Sequence, residues 1–249
     1  EVFTSWSAKF LPYNLHCLVG LLGRPHARKS PATRTPSGCV VSASPVHVEE
    51  TQQLAHTTIL FTTPEKLEIL AGLGIDHTIV VPFTLEFSRM SYQEFVLKDL
   101  VGQLHIDTLL VGYNHHLGHN RSGGYDELLA LSKTYGFDLQ IMPQKQLDAH
   151  HVSSTVIRQL ILQGQIHEAE HLLERAYRID GVVDRHGAVS DIDPHKLIPA
   201  EGLYAVTCTP KTDKDPSYDA TLSIGPDRKL SLSRPDFPLP TGETTIEFR

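Results

Sequence analysis

The amino-acid sequence predicts an α/β fold in which a parallel sheet with intervening helices precedes a smaller, mostly β domain. Between residues 58 and 163, short apolar runs alternate with segments of helical periodicity, the pattern of a parallel sheet with right-handed crossovers. After Tyr177 the helical periodicity stops, and short β-like runs punctuated by Pro and Gly follow. Ligands of such sheets usually bind at the carboxyl ends of the strands, so we expect a functional site there.

Local signals define the elements of the sheet domain. Thr63 and Pro64 suit the N-cap and first turn of a helix, and Ser91 with Glu94 forms a capping box that opens another. The predicted strands cover residues 58–62, 77–82, 107–112 and 137–142. The predicted helices cover residues 64–73, 91–104 and 124–135, followed by one after Ser154 with Val156, Ile157, Leu160 and Ile161 on its inner face.

The two ends of the chain carry different signals. Residues 15–22 and 40–41 are compatible with strands, whereas residues 30–38 hold two prolines, a glycine and four Ser or Thr residues, which is typical of a loop. The β-like runs of the second domain cover residues 177–183, 202–209, 220–224 and 244–248.

Composition and charge narrow the function classes. Apolar residues make up 40% of the 249 residues, and no apolar run is long enough for a membrane span. The net charge of −7 argues against a nucleic-acid partner. Residues 1–48 nevertheless carry five Lys or Arg against one Glu, which suits a small anion such as a nucleotide. The three cysteines form no CxxC pair, and no signal-peptide layout precedes them, which together predict reduced thiols and a cytoplasmic protein. The oligomeric state is left open.

The loop over residues 112–124 follows a predicted strand and combines glycines with three histidines and Arg121. Imidazole and guanidinium groups beside a glycine-rich backbone suit a phosphate or a planar ring. Two alternatives stay open. His115, His116 and His119 could bind a metal ion, although the H-E-x-x-H pattern is missing, or the loop could be a solvated turn without a role.

The second candidate stretch is SSTVIR at residues 153–158. Hydroxyl groups at a helix N-terminus, the exposed N–H groups there and an arginine in the first turn would converge on an anion, as a polyphosphate requires. The alternative is an ordinary serine N-cap with a surface arginine.

Together these stretches resemble the bifunctional bacterial riboflavin kinase/FAD synthetases. The similar blocks are LFTTPEKLEIL at 60–70, VVPFTLEF at 80–87, the glycine–histidine loop, SSTVIR at 153–158 and DPHKLIPAEGLYAV at 193–206. The resemblance implies an FMN adenylyltransferase domain over residues 1–175, with a nucleotidylyltransferase-type Rossmann-like sheet. It also implies an incomplete riboflavin kinase-like β domain over residues 176–249.

The activity that the resemblance implies is transfer of AMP from ATP to FMN, giving FAD and pyrophosphate with Mg²⁺ present, and riboflavin phosphorylation in the second domain. The residues it assigns to catalysis are His26, Lys29, Arg158 and Glu247. Those it assigns to the nucleotide are Gly20, Ser153, Ser154 and Thr155, and those it assigns to the flavin are Asn114, His116 and Arg121. It assigns no protein ligands to the metal. The implied partners are small molecules, with neither nucleic acid nor membrane.

Two departures from the family pattern support an alternative. Where the family reads G-F-F-D-G-V-H-x-G-H, this chain keeps His26 but has Lys29 in place of the second histidine. The family's magnesium-binding turn G-F-P-T-A-N is missing between Val183 and Asp193, and a barrel without its closing strands would leave open edges. The alternative function is therefore an impaired or non-catalytic flavin- or nucleotide-binding relative, and another nucleotidylyltransferase substrate also stays open.

Overall fold

The computed structural model describes residues 18–23, 37–45, 58–113, 115–143, 146–147, 150–212, 216–235 and 238–249. The described residues divide into two compact units. The N-terminal unit contains the first two strands and residues 63–143, and the C-terminal unit contains residues 58–62 together with those from 146 onward.

A five-stranded sheet organises the N-terminal unit. Its strands are β1 (Leu18–Gly23), β2 (Ser37–Pro45), β3 (His77–Phe83), β4 (Ile106–Gly112) and β5 (Asp138–Met142), and their order is β3-β2-β1-β4-β5. The β2–β3 and β4–β5 pairs are parallel, whereas β1 is antiparallel to both β2 and β4. The predicted fold class is confirmed, with β1 as the one described strand of this sheet that runs against the others.

Helices connect the strands where the capping signals predict them. The helical elements of this unit are α1 (Thr63–Gly72), α2 (Leu85–Ser88), α3 (Tyr92–Glu94), a π-helical continuation (Phe95–Gln103) and α4 (Tyr125–Tyr135). The capping box is confirmed, because the Ser91 hydroxyl accepts a hydrogen bond from the backbone N–H of Glu94 at 3.1 Å. In neither unit is a described helix long and apolar enough to cross a membrane.

The core of the N-terminal unit lies around β4. Its buried members come from the π-helical segment, β4, the loop after β4, α4 and the turn before β5: Phe95, Val96, Leu100, Ile106, Leu109, Val111, Leu117, Leu128 and Phe137. Leu117 therefore anchors the glycine–histidine loop in the same core as the strand that precedes it. This anchoring holds the loop at the carboxyl end of β4.

Residues 58–62 differ from the prediction. They form no strand of the five-stranded sheet and instead join the C-terminal unit, where Ile59 makes an isolated parallel bridge with Lys196. The N–H of Ile59 donates to the carbonyl of His195 at 2.7 Å, and its own carbonyl accepts from the N–H of Leu197 at 3.0 Å. The predicted strand is wrong because the backbone partners of this apolar run come from far along the chain.

The C-terminal unit combines two helices with a closed barrel. A short hairpin of β6 (Gln146–Leu147) and β7 (His150–His151) precedes α5 (Ser154–Leu162) and α6 (Ile166–Leu173). The barrel strands are β8 (Arg178–Val183), β9 (Ala188–Ser190), β10 (Gly202–Pro210), β11 (Tyr218–Ile224), β12 (Leu230–Ser233) and β13 (Gly242–Phe248), in the order β10-β11-β12-β9-β8-β13. The expected open edges are wrong, because β13 pairs with both β8 and β10 and closes the ring.

Helix α5 buries one face that is narrower than predicted. Ser154, Ile157 and Ile161 are buried, whereas Val156 is 37% exposed. The placement of Val156 on the inner face is therefore wrong. The spacing of the buried residues, at positions i, i+3 and i+7, is that of a single helical stripe.

Strands β8, β12 and β13 of the barrel alternate between a buried and an outer face. On β13, Thr244, Ile246 and Phe248 are buried, so Thr245 lies on the outer face. There the hydroxyl of Thr245 donates to Oδ1 of Asp180 at 2.7 Å, and Nζ of Lys211 lies 3.0 Å from Oδ2. Burial raises the pKa of Asp180, but these hydrogen bonds and the positive charge of Lys211 outweigh it and hold the pKa below its ordinary value.

We expect Asp180→Asn to remove a pH-dependent part of the stability. Because the folded pKa is depressed, the carboxylate contributes stability above the unfolded pKa, and this contribution is lost as the pH falls through the folded pKa, below about pH 4. Urea unfolding should show the variant less stable than the parent by about 1–2 kcal/mol at pH 7, with the difference shrinking toward pH 3. The exposed Asp191→Asn change is the control, and a constant difference at both pH values would contradict the assignment.

Candidate functional site

The loop after β4 is a closed turn. The N–H and C=O of Leu117 both bond to the C=O and N–H of Gly123, each at 2.9 Å, so the five residues between them form a compact tip. His119 attaches this tip to the preceding helical segment, because its N–H donates to the carbonyl of Met90 at 2.9 Å. The loop therefore has a defined position at the carboxyl end of β4.

Two glycines of this loop are required by packing within the protein. A Cβ at Gly118, where φ is +74°, would lie 2.2 Å from the backbone nitrogen of Tyr92. A Cβ at Gly123 would lie 2.4 Å from the Cβ of the same tyrosine. The missing side chains of both glycines thus allow the loop backbone to lie close to Tyr92 at the start of α3. The sequence pattern does not reveal this contact.

The loop tip presents a basic pair. His116 and Arg121 are exposed, and a terminal nitrogen of Arg121 lies 3.4 Å from Nδ1 of His116, which must accept because guanidinium only donates. Nδ1 of His119 lies 3.2 Å from the carbonyl oxygen of Ser88, so this ring is turned toward the protein. The structure therefore brings His116 and Arg121 together as an exposed imidazole and guanidinium suited to an anion or a planar ring.

The backbone of the tip adopts uncommon dihedral angles. Asn120 and Arg121 have φ values of +55° and +57°, next to Gly118 at +74°. Left-handed residues other than glycine cost free energy and persist where surrounding contacts determine the conformation. Across the described ranges, no three His, Cys, Asp or Glu side chains lie close enough together to hold one metal ion.

The start of α5 contains the serine N-cap that the sequence left open as an alternative, and Arg158, its fifth residue, lies beyond the predicted first turn. Ser153 is the N-cap, and its hydroxyl accepts from the N–H of Val156 at 3.3 Å. Ser154 is 3% exposed and lies among the buried residues of the helix, whereas Thr155 is exposed. The N–H groups of Ser154 and Thr155 belong to the first turn, where helical backbone donors point away from the helix toward any anion at its end.

Arg158 connects α5 to residues 58–62. Its Nε–H donates to the carbonyl oxygen of Thr58 at 3.2 Å. Desolvation lowers its pKa, and the proximity of Tyr177 acts in the opposite direction. An arginine has five N–H donors, so this bond fixes the guanidinium while leaving four for other acceptors.

Glu247 lies on the outer face of the barrel. Neighbouring Ile246 and Phe248 are buried, and the register of β13 places Glu247 opposite Thr207 and Arg178. Its charge also reaches Glu170 of α6. Burial raises the pKa of Glu170, and the negative charge of Glu247 raises it further. The hydrogen bond from the Tyr177 N–H and the charge of His167 lower the pKa, but the net pKa is above its ordinary value.

The structure groups the predicted residues by unit. His116 and Arg121 meet in the N-terminal unit, while Ser153, Ser154, Thr155 and Arg158 meet at the start of α5 in the C-terminal unit. Gly20 lies in β1, the strand paired with β4. His26, Lys29 and Asn114 lie outside the described residues.

Two groups at this site were missed in the sequence. The carbonyl of Thr58 holds Arg158, and the Nζ of Lys196 donates to the carbonyl of Leu60 at 2.8 Å. Lys196 is 2% exposed, which is rare for a lysine. The only signal in the sequence was its place in the apolar run KLIP, within the block that resembles the start of the barrel.

Comparison with known proteins agrees with these observations. The family described as FAD synthetase matches residues 26–156, more than half of the chain. A bifunctional riboflavin kinase/FMN adenylyltransferase of Haemophilus influenzae is 32% identical over 152 residues, 57% of this chain and 49% of that protein. A protein of Listeria monocytogenes named FAD synthetase is 32% identical over 140 residues, 56% of each chain. The chain spans about half the length of these relatives.

A solved structure shares the fold. It is titled a macrolide-efflux protein from Streptococcus pneumoniae and matches with a TM-score of 0.62, over 77% of this chain and 65% of its own. The sequences are 20% identical, so this likeness concerns the fold alone.

The stability cost of a Cβ that meets Tyr92 can be measured separately from the cost of a positive φ at the same residue. Gly118→Ala and Gly136→Ala both place alanine at a positive φ, but only at Gly118 would the new Cβ meet other atoms within 4 Å. We expect Gly118→Ala to lower the free energy of unfolding by about 2 kcal/mol more than Gly136→Ala does. Denaturant unfolding of both variants measures this, and equal losses would show that the loop does not pack on Tyr92.

Proposed function

The chain belongs to the FAD synthetase family, and we propose that it is an FMN adenylyltransferase, which transfers AMP from ATP to FMN. The observation that carries the proposal is the extent of the family match. Residues 26–156 include both the loop with His116 and Arg121 and the capped start of α5. Both of these segments present groups suited to anions, and a chance match would not be expected to include both.

The proposed reaction is an adenylyl transfer. An oxygen of the FMN phosphate attacks the α-phosphorus of ATP, and a new P–O bond forms. The bond between that phosphorus and the oxygen bridging to the β-phosphate breaks, so pyrophosphate leaves with the bonding electrons. No covalent enzyme intermediate is needed. Catalysis then consists of positioning the two phosphates and neutralising charge that builds up on their oxygens.

The described residues would divide this work. The N–H groups at the start of α5, the Ser153 and Thr155 hydroxyls and Arg158 would hold the triphosphate. Ser154 is buried, so its contribution would come from its backbone N–H. His116 and Arg121 would bind the flavin or its phosphate, since both are exposed beside each other.

Three predicted residues outside the described ranges complete the proposal. His26 would contact phosphate, Lys29 would supply the positive charge of the second family histidine, and Asn114 would face the flavin. Gly20 of β1 would let the nucleotide approach the backbone. Magnesium would enter as the ATP complex and neutralise negative charge on the phosphates.

We propose the family's domain limits for this chain: residues 1–175 as the FMN adenylyltransferase domain and residues 176–249 as the riboflavin kinase-like β domain. The compact units divide the chain earlier, because α5 and α6 pack in the same unit as the barrel. One such contact is the 2.8 Å hydrogen bond from the Tyr177 N–H to Oε1 of Glu170 in α6. The proposed function of residues 154–173 therefore depends on the folding of the barrel beside them.

We expect Arg158→Ala to lower kcat/KM for FAD formation by about 100-fold or more, because a charge-assisted contact to phosphate is lost. The assay mixes the full chain with magnesium, ATP and FMN and separates FAD by chromatography. The free energy of unfolding should fall much less, since the variant loses one hydrogen bond to Thr58.

Arg185→Ala, in the exposed turn between β8 and β9, is the control and should leave FAD formation within about twofold of the parent. Equal turnover by Arg158→Ala and the parent would remove Arg158 from the site. A parent that binds flavin but forms no FAD would favour the alternative of a non-catalytic binding relative.

We expect riboflavin not to be phosphorylated at a measurable rate. In place of the family's magnesium-binding turn, the structure has a tight turn in which Oδ1 of Asp184 accepts the N–H groups of His186 and Ala188 at 2.8 and 2.9 Å. A carboxylate at the turn repels phosphate, and Glu247 alone would supply a base without a nucleotide site. Incubation of the chain with riboflavin, magnesium and ATP should give no FMN. If the parent forms FMN and Glu247→Gln does not, this prediction is wrong and riboflavin kinase activity joins the proposed function.

A further inference from the structure

We propose that Lys196 of the riboflavin kinase-like domain is a positioning residue for Arg158 in adenylyl transfer, an inference that rests on the proposed function. The ammonium group of Lys196 is buried and donates to the carbonyl of Leu60 at 2.8 Å. It also lies 5.6 Å from the ring centroid of Phe61 and 4.7 Å from that of Tyr177. These contacts are those that make burial of a lysine tolerable, because an ammonium without acceptors is costly inside a protein.

The contacts of Lys196 fix a short stretch of backbone. Leu60 is held through its carbonyl, and the N–H and C=O of the preceding Ile59 are both bonded to residues 195 and 197. Tyr177 braces the same place, since its hydroxyl donates to the carbonyl of Leu197 at 2.6 Å. The barrel entry segment, residues 193–197, thus determines where residues 58–60 lie in the C-terminal unit.

The position of the Arg158 guanidinium depends on Thr58, the first residue of that stretch. Its Nε–H donates to the carbonyl of Thr58, one residue before the doubly bonded Ile59. Arg158 also lies near Tyr177, whose proximity influences its pKa. A chain of direct contacts therefore runs from Lys196 through Leu60, Ile59 and Thr58 to the guanidinium proposed to hold the triphosphate. The barrel would take part in adenylyl transfer without binding a substrate of its own.

Lys196→Met tests this chain, because methionine keeps the length and apolar stem of lysine but removes the ammonium group. We expect the KM for ATP to rise by about 10- to 100-fold, as small displacements of a positioning group do, with the KM for FMN unchanged. Lys196→Arg keeps the charge, a donor and the ring contacts, and it should recover most of the loss. Lys229→Met, an exposed lysine paired with Asp227, is the matched control and should resemble the parent.

A double-mutant cycle separates positioning from general stability. In the Arg158→Ala background, Lys196→Met should change the KM for ATP by less than about twofold, because the group through which it acts is gone. The same change in both backgrounds would overturn the proposal, as would a loss of thermal stability with unchanged ATP parameters. If Lys196→Met does not fold, Lys196→Gln, which keeps a donor near Leu60, carries the same comparison.

ATP titration of the full chain without FMN distinguishes failure of this inference from failure of the proposed function. A parent that binds ATP but makes no FAD would overturn the proposed function. Weaker ATP binding by Lys196→Met that Lys196→Arg restores would still support the positioning role. A parent that binds no ATP would overturn both.

Discussion

Satisfaction of buried polar groups is the constraint on which the C-terminal unit depends. Leu60 is buried beside the half-buried Ile59, and burial obliges the carbonyl groups of both residues and the N–H of Ile59 to find partners. Those partners come from residues 195–197, together with the Lys196 ammonium group. The same contacts lead to Thr58 and Arg158, so one set of hydrogen bonds serves both folding and the ligand binding that we propose for Arg158.

The loop after β4 meets a similar requirement with packing. Gly118 and Gly123 allow the backbone to lie against Tyr92, and the N–H of His119 bonds to the carbonyl of Met90, so packing and a backbone hydrogen bond hold the tip in place. His116 and Arg121 are presented from this fixed base. Preorganisation of this kind reduces the entropy that a flexible loop would lose on binding a ligand.

The elements set by neighbouring residues could be predicted from the sequence. The hydrogen bond from Glu94 to Ser91 and the N-cap at Ser153 each involve residues three positions apart; the first was predicted, and the second was left open as an alternative. The position of residues 58–60 could not be predicted, since their hydrogen-bond partners lie 100 or more residues away in the chain. The contact between Gly118 and Tyr92 could not be predicted either. A glycine that allows close approach of a ligand and one that allows close approach of another protein segment look the same in the sequence.

Two further features depend on tertiary pairing that local patterns do not encode. The apolar run of β1 has no signal for its direction, and only pairing with β2 and β4 defines it as antiparallel. Burial of Lys196 likewise depends on rings from two distant segments. For the candidate site, the residue types were therefore predictable, while the carbonyl groups that orient them were not.

Closure of the six-stranded barrel also limits how this unit could meet other chains. A sheet with a free edge presents a row of unbonded backbone groups to which a foreign strand can add, whereas a ring in which β13 bonds on both sides offers none. Recruitment by strand addition is therefore blocked at the barrel, and any assembly that uses it must rely on side-chain surfaces.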